Sequence, residues 1–160
     1  MDHSAYKYKQ MNQHIIHNLV WVPVFLIGVF AVILGILWFI HPTPWLIDQA
    51  PNEALIKVSF KDIFSHKINT HLPSYLIVLY DFFGLWLTAI GLLIIAFVNV
   101  TRLATKLSQK YIFSILIFIL IMLFYLVLSF LPSSPIIFML PLLTILLGCS
   151  IYFSRLLNEE

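Results

Sequence analysis

The sequence has 160 residues, 61% hydrophobic and 10% charged, with a net charge of +2 and a mean hydropathy of +0.99. A soluble domain carries about 25% charged and about 45–50% apolar residues, so the composition points away from one and towards an integral membrane protein. With no basic run and no interleaving of basic and aromatic residues, a nucleic-acid partner is not expected.

The first 18 residues are polar, and within them "HIIH" sets His14 and His17 three apart. On a helix the two share a face, but no carboxylate or cysteine lies beside them to complete a metal site. They read as interfacial histidines. The apolar run 19–40 follows, with Pro23 in its opening turn. Its length suits a bilayer crossing of about 20 residues. A cleaved leader has a shorter apolar core of about 7–15 residues and a small-residue cleavage site, so the run is expected to stay as a membrane helix. It carries Gly28, Ala31 and Gly35. Glycines seven apart are two turns apart, hence on one face.

Residues 41–75 form the one sizeable loop. Its opening, "HPTPWLIDQAP", holds three prolines, which exclude regular helix. In "NEALIKVSFKDIFSHKINTHLP", Ile56, Phe60, Ile63 and Phe64 recur at helical spacing. This predicts a short amphipathic helix over 53–65, lying on the outer membrane surface with Asn52 as its cap. The competing reading is a strand, because Ile56, Val58 and Phe60 also alternate.

The second span runs over 76–98 and contains Gly84, Thr88 and Gly91, again on one face. Small residues let membrane helices approach closely, so the first two spans are expected to pack along their glycines. The span also holds one carboxylate, Asp81. A crossing of about 20 residues counted back from Val98 sets the outer edge near residue 79. Asp81 then reads as an interfacial anchor near the helix N-terminus, where the helix dipole favours a negative charge. The alternative is a catalytic set, Asp81 with His66 and His71 of the loop acting as acid and base. Two further spans, 111–131 and 136–153, are joined by "PSSP", short enough to force an antiparallel hairpin. The fold expected is therefore an all-α four-helix transmembrane bundle forming a single transmembrane domain.

The positive-inside rule orients it. With the N-terminus inside, the inner flanks carry Lys7, Lys9, Arg102, Lys106, Lys110 and Arg155, against Lys57, Lys61 and Lys67 outside. This favours N-in and C-in. Trp21, Tyr111 and Tyr152 then mark the inner interface, and Trp38, Trp45 and Tyr75 the outer one. Cys149 is the single cysteine, so an intrachain disulfide is impossible. No histidine lies deep within a span, so haem held between helices is not expected, nor is any other cofactor or bound metal.

"FLIGVFAVILGILWFIHPTPWLID" followed by "LYDFFGLWLTAIGLLI" resembles small four-span bacterial membrane proteins of the DoxX-like kind. In those, a glycine-rich first span ends in a proline and a second span carries paired glycines. The resemblance covers the first two spans and implies the four-span architecture and a bacterial inner (plasma) membrane. Some members are similar to subunits associated with quinone-linked enzymes, and none supplies a catalytic motif to carry over.

The sequence contains no GxSxG, HExxH, P-loop or DxxD-type pattern. The leading expectation is a non-catalytic accessory or structural subunit of a larger membrane assembly. Its partners would be membrane lipids and either other membrane subunits or further copies of itself. Two alternatives stand beside it. One is a small oligomeric transporter or channel, which needs a polar lining that Thr88, Ser114, Ser129 and Thr144 supply thinly. The other is a membrane enzyme acting on a lipid or quinone at the outer interface.

Overall fold

A computed structural model describes residues 3–159, with side chains from Gln13 to Leu157. Six α-helices follow one another: α1 (His3–Ile40), α2 (Gln49–Ile56), α3 (Phe60–Ser65), α4 (Leu72–Thr101), α5 (Lys106–Phe130) and α6 (Met139–Glu159). Four of them contain stretches long and apolar enough to cross a membrane. α1 and α4 exceed their sequence-based bounds because the helix continues past the apolar run. α5 starts earlier and stops at Phe130, whereas α6 starts at Met139, after a 3-10 turn over Pro135–Phe138, and runs on to Glu159. The extreme case is α1, whose 38 residues extend about 57 Å. Lys7 and Lys9, counted towards the inner charge, lie outside the described side chains.

α1 is the central helix. It packs along α4 on one side and α6 on the other, and α5 leans on α6. Against α4 the packing is backbone to backbone. A Cβ at Gly28 would lie 3.0 Å from the Gly91 carbonyl oxygen, and one at Gly91 would lie 2.7 Å from that of Gly28. One at Gly35 would lie 2.7 Å from the Gly84 carbonyl oxygen and 2.6 Å from the Thr88 nitrogen. The pairs Gly28–Gly91 and Gly35–Gly84 are the two rungs of an antiparallel seam, and only glycine fits at either. Ala31, between the α1 glycines, is half-buried.

Pro23 falls in the interior of α1 rather than its opening turn, because the helix starts much earlier. Its missing N–H leaves the carbonyl of Leu19 without a helical partner. The hydroxyl of Ser150 on α6 donates to the next carbonyl, that of Val20. Hydroxyls of neighbouring helices commonly meet backbone groups loosened in this way. Val20 and Val24 of α1, Ile94 and Val98 of α4, Ile112 and Leu116 of α5, and Leu147 of α6 form the core beside it.

The same end carries a buried polar chain. Gln109 donates to the carbonyl of Leu103 at 2.8 Å and accepts from the Ser154 hydroxyl at 2.8 Å. α4 ends in two left-handed residues, Arg102 and Leu103, at φ 48° and 51°. This turn swings the Arg102 guanidinium over the Trp21 ring, 4.3 Å from its centroid. Thr105 then caps α5 by accepting from the Ser108 backbone N–H at 3.1 Å.

At the opposite end residues 41–71 fold into a cap. The single amphipathic helix expected over 53–65 is two helices, and no residue of the cap is in a strand. Lys57 at φ 58° ends α2, and Ser59 starts α3 by accepting from the Asp62 N–H at 3.0 Å. Glu53 bridges the break by accepting from the Phe60 N–H at 2.8 Å. Phe60 and Phe64 stack at 5.6 Å, with Trp45 against both, so those two positions of the expected apolar face stay together while Ile56 is exposed on α2. The prolines also tolerate more helix than expected: Pro44 opens a 3-10 turn, and Pro51 sits in the first turn of α2. A proline so early loses no helical hydrogen bond. Asn52 is not a cap; Asp48 precedes α2.

Candidate functional site

Among the described residues, two side-chain hydrogen bonds join the cap to the bundle. The Ser134 hydroxyl, in the turn between α5 and α6, donates to Asp48 Oδ1 at 2.7 Å, and both residues are buried. The same Ser134 oxygen accepts from the Ile136 N–H at 3.2 Å and so opens the 3-10 turn that leads into α6. Asn52 Nδ2 donates to the Tyr80 hydroxyl of α4 at 3.1 Å. Tyr80 in turn meets Trp38 of α1 edge to face, with centroids 6.1 Å apart.

Between cap and bundle these residues line a half-open cavity of about 340 Å³. Trp38, Trp45, Asp48, Asn52 and Tyr80 supply its polar and aromatic walls, and Leu76, Leu79, Phe83, Leu131 and Ile136 its apolar ones. That volume is at the low end of small-ligand pockets, which span about 300–1,000 Å³. A second, larger groove of about 590 Å³ runs between α4 and α5 and is almost wholly apolar.

His66, His71 and Asp81 do not line the cavity. His66 ends α3 and His71 precedes α4; both are exposed. Ten residues of helix, about 15 Å along the axis, separate His71 from Asp81. That is too far for a shared proton. Because α4 begins at Leu72, Asp81 also lies well beyond the first turn, where the dipole has faded. Its neighbour Tyr80 is bonded to the cap, so the Asp81 carboxylate stands at cap level, half-exposed. Asp81→Asn should therefore shift stability by no more than about 0.5 kcal/mol, as for most partly exposed substitutions away from special features. Thermal unfolding of the purified variant in detergent checks this; a shift several times larger would show that the charge is paired.

His14 and His17 lie on α1, exposed and half-buried respectively. The residues that build the cavity are other ones. Asp48 is the acid in "PWLIDQAP", an apolar, proline-bounded stretch, and an acid in such a setting is the one signal that marked it. No family model matches the chain, and neither does any curated protein or solved structure. Of the resemblance in the first two spans, what stands is a bundle with four long apolar helices.

Proposed function

We propose that the chain is an integral membrane protein, N-in and C-in, acting as a non-catalytic accessory or structural subunit of a larger membrane assembly. The observation that supports this is the distribution of buried polar side chains. Asp48 and Ser134 lie at the cap, and Ser108, Gln109, Ser150 and Ser154 lie at the far end. Between them the glycine seam is closed backbone to backbone, which gives an aqueous path through one copy no lining. The outward faces of the long helices are apolar instead: Ile115, Phe118, Met122, Tyr125 and Leu126 of α5 are all exposed. Such a surface suits lipid tails or neighbouring subunits. The resemblance of the first two spans favours a bacterial inner membrane as its place.

Gentle purification from the native membrane, followed by identification of what accompanies the chain, tests the subunit role. Stoichiometric membrane partners support it. A homo-oligomer alone that conducts ions after reconstitution would replace it with the channel reading. Orientation has its own test. With Cys149 replaced by Ala, cysteine in place of Gln49, which is exposed on the cap, should react with an impermeant thiol reagent in intact cells. Cysteine in place of Thr105, at the opposite end, should react only after the membrane is opened. The reverse pattern would invert the topology.

A further inference from the structure

Burying a carboxylate is costly unless donors reach its oxygens. Asp48 is 6% exposed, and its hydrogen-bond partner is one neutral hydroxyl, that of Ser134 on Oδ1. No cation among the described residues pairs with it. A second group has the converse need: the indole N–H of Trp38 is buried without an acceptor. Both side chains line the same cavity. Native proteins rarely leave a buried donor unmet, so the Trp38 N–H calls for an explanation. A carboxylate met by a single hydroxyl on one oxygen and an indole N–H lacking an acceptor, set around one space, are complementary to a head group that carries both a donor and an acceptor.

The remaining walls suit an apolar tail attached to that head. Leu76, Leu79 and Phe83 of α4 continue from the polar end along the bundle, and Phe83 is about half-exposed on its surface. We propose that the cavity under the cap binds a membrane amphiphile whose head group sets a hydrogen-bond donor beside an acceptor oxygen. The donor meets Asp48, the acceptor takes the Trp38 N–H, and the tail leaves along Leu79 and Phe83. The site rests on the membrane reading but not on the subunit role. Two sources carry this chemistry: a phospholipid with a primary ammonium next to its phosphate, and a quinol with a hydroxyl on its ring.

Calorimetric titration of the full chain in mild detergent tests the site and separates the sources. The probes are short-chain phosphatidylethanolamine, the matching phosphatidylcholine, and a short-tailed benzoquinol. Phosphatidylcholine has no N–H to offer Asp48 and should bind at least about tenfold more weakly than the ethanolamine lipid. Trp38→Phe keeps the ring and loses the donor; Asp48→Asn keeps the shape and an acceptor for Ser134. Each should weaken the bound probe about tenfold, the ordinary scale for one buried hydrogen bond. Leu79→Trp fills the cavity without touching either polar group, should abolish binding, and stands in if Asp48→Asn does not fold. Saturable binding of the ethanolamine lipid with these losses assigns the phospholipid source; binding of the quinol with the same losses assigns the other. Equal binding of both phospholipids with no quinol binding, variants that bind like the parent, or no saturable binding of any probe would each overturn the site. Flotation with vesicles is run alongside: a chain that floats but binds no probe loses the site alone, whereas one that does not float loses the membrane reading as well.

Discussion

Replacing Gly35 with alanine should clearly lower the unfolding midpoint of the detergent-solubilised protein, while Gly148→Ala should leave it unchanged or raise it. The two substitutions add the same methyl group to long helices, and alanine gains up to about 1 kcal/mol over glycine in intrinsic helix propensity at either position. Space decides between them. At Gly148 a Cβ meets nothing within 4 Å. At Gly35 it would meet the Thr88 nitrogen at 2.6 Å and the Gly84 carbonyl oxygen at 2.7 Å, both backbone atoms that no rotamer change can move. α1 and α4 would have to separate, and overpacking of this kind costs about 1–3 kcal/mol, occasionally more. Gly84→Ala should behave like Gly35→Ala, because its Cβ would lie 2.6 Å from the Gly35 carbonyl oxygen. Equal midpoints for Gly35→Ala and Gly148→Ala would mean that the helices do not approach this closely.

Gln109→Leu should be the other severe substitution, at about 1–3 kcal/mol. Leucine nearly matches glutamine in volume, so little cavity forms, and the loss is polar. Gln109 is 4% exposed and joins Leu103 to Ser154. Without its amide the Leu103 carbonyl has lost its side-chain donor in a fully buried residue, and the Ser154 hydroxyl has lost an acceptor. Each hydrogen bond lost from a buried site in this way costs about 0.5–1.5 kcal/mol. Coupling distinguishes this from general damage. Ser154→Ala should cost less in the Gln109→Leu background than in the parent, since its bond to Gln109 is already gone. Denaturation of the two single variants and the double variant measures the difference, and strict additivity would sink the account.

How much of this is legible in the sequence depends on whether its cause is local. The four long apolar helices follow from run length alone, and the face that Gly28 shares with Gly35, or Gly84 with Gly91, follows from a seven-residue spacing. How near the two backbones come does not follow, because it depends on what stands opposite. The cap departs from its sequence pattern for a different reason. Ile56, Phe60, Ile63 and Phe64 keep helical spacing across Lys57, yet the chain breaks there and restarts at Ser59. Ser59 and Asp62 form a recognisable start signal, which the apolar periodicity masks. The cavity is least legible. The burial of Asp48 depends on Ser134, 86 positions away, and that of the Trp38 indole on α4 and the cap. Asp81 draws attention as a lone charge in an apolar run, whereas the acid that is buried lies in the loop.

The Ser150 hydroxyl that meets the Val20 carbonyl arrives 130 positions after it. Of the four long helices α1 is synthesised first and α6 last, so the partner of the loosened turn near Pro23 is also the last to appear. α4 can zip onto α1 along the glycines as soon as it emerges. The other flank of α1 stays open while α5 is made, with the Val20 carbonyl not yet met by its side-chain donor. Assembly is therefore completed by the C-terminal helix, and a chain cut short before Ser150 holds a paired α1 and α4 with the second flank of α1 uncovered.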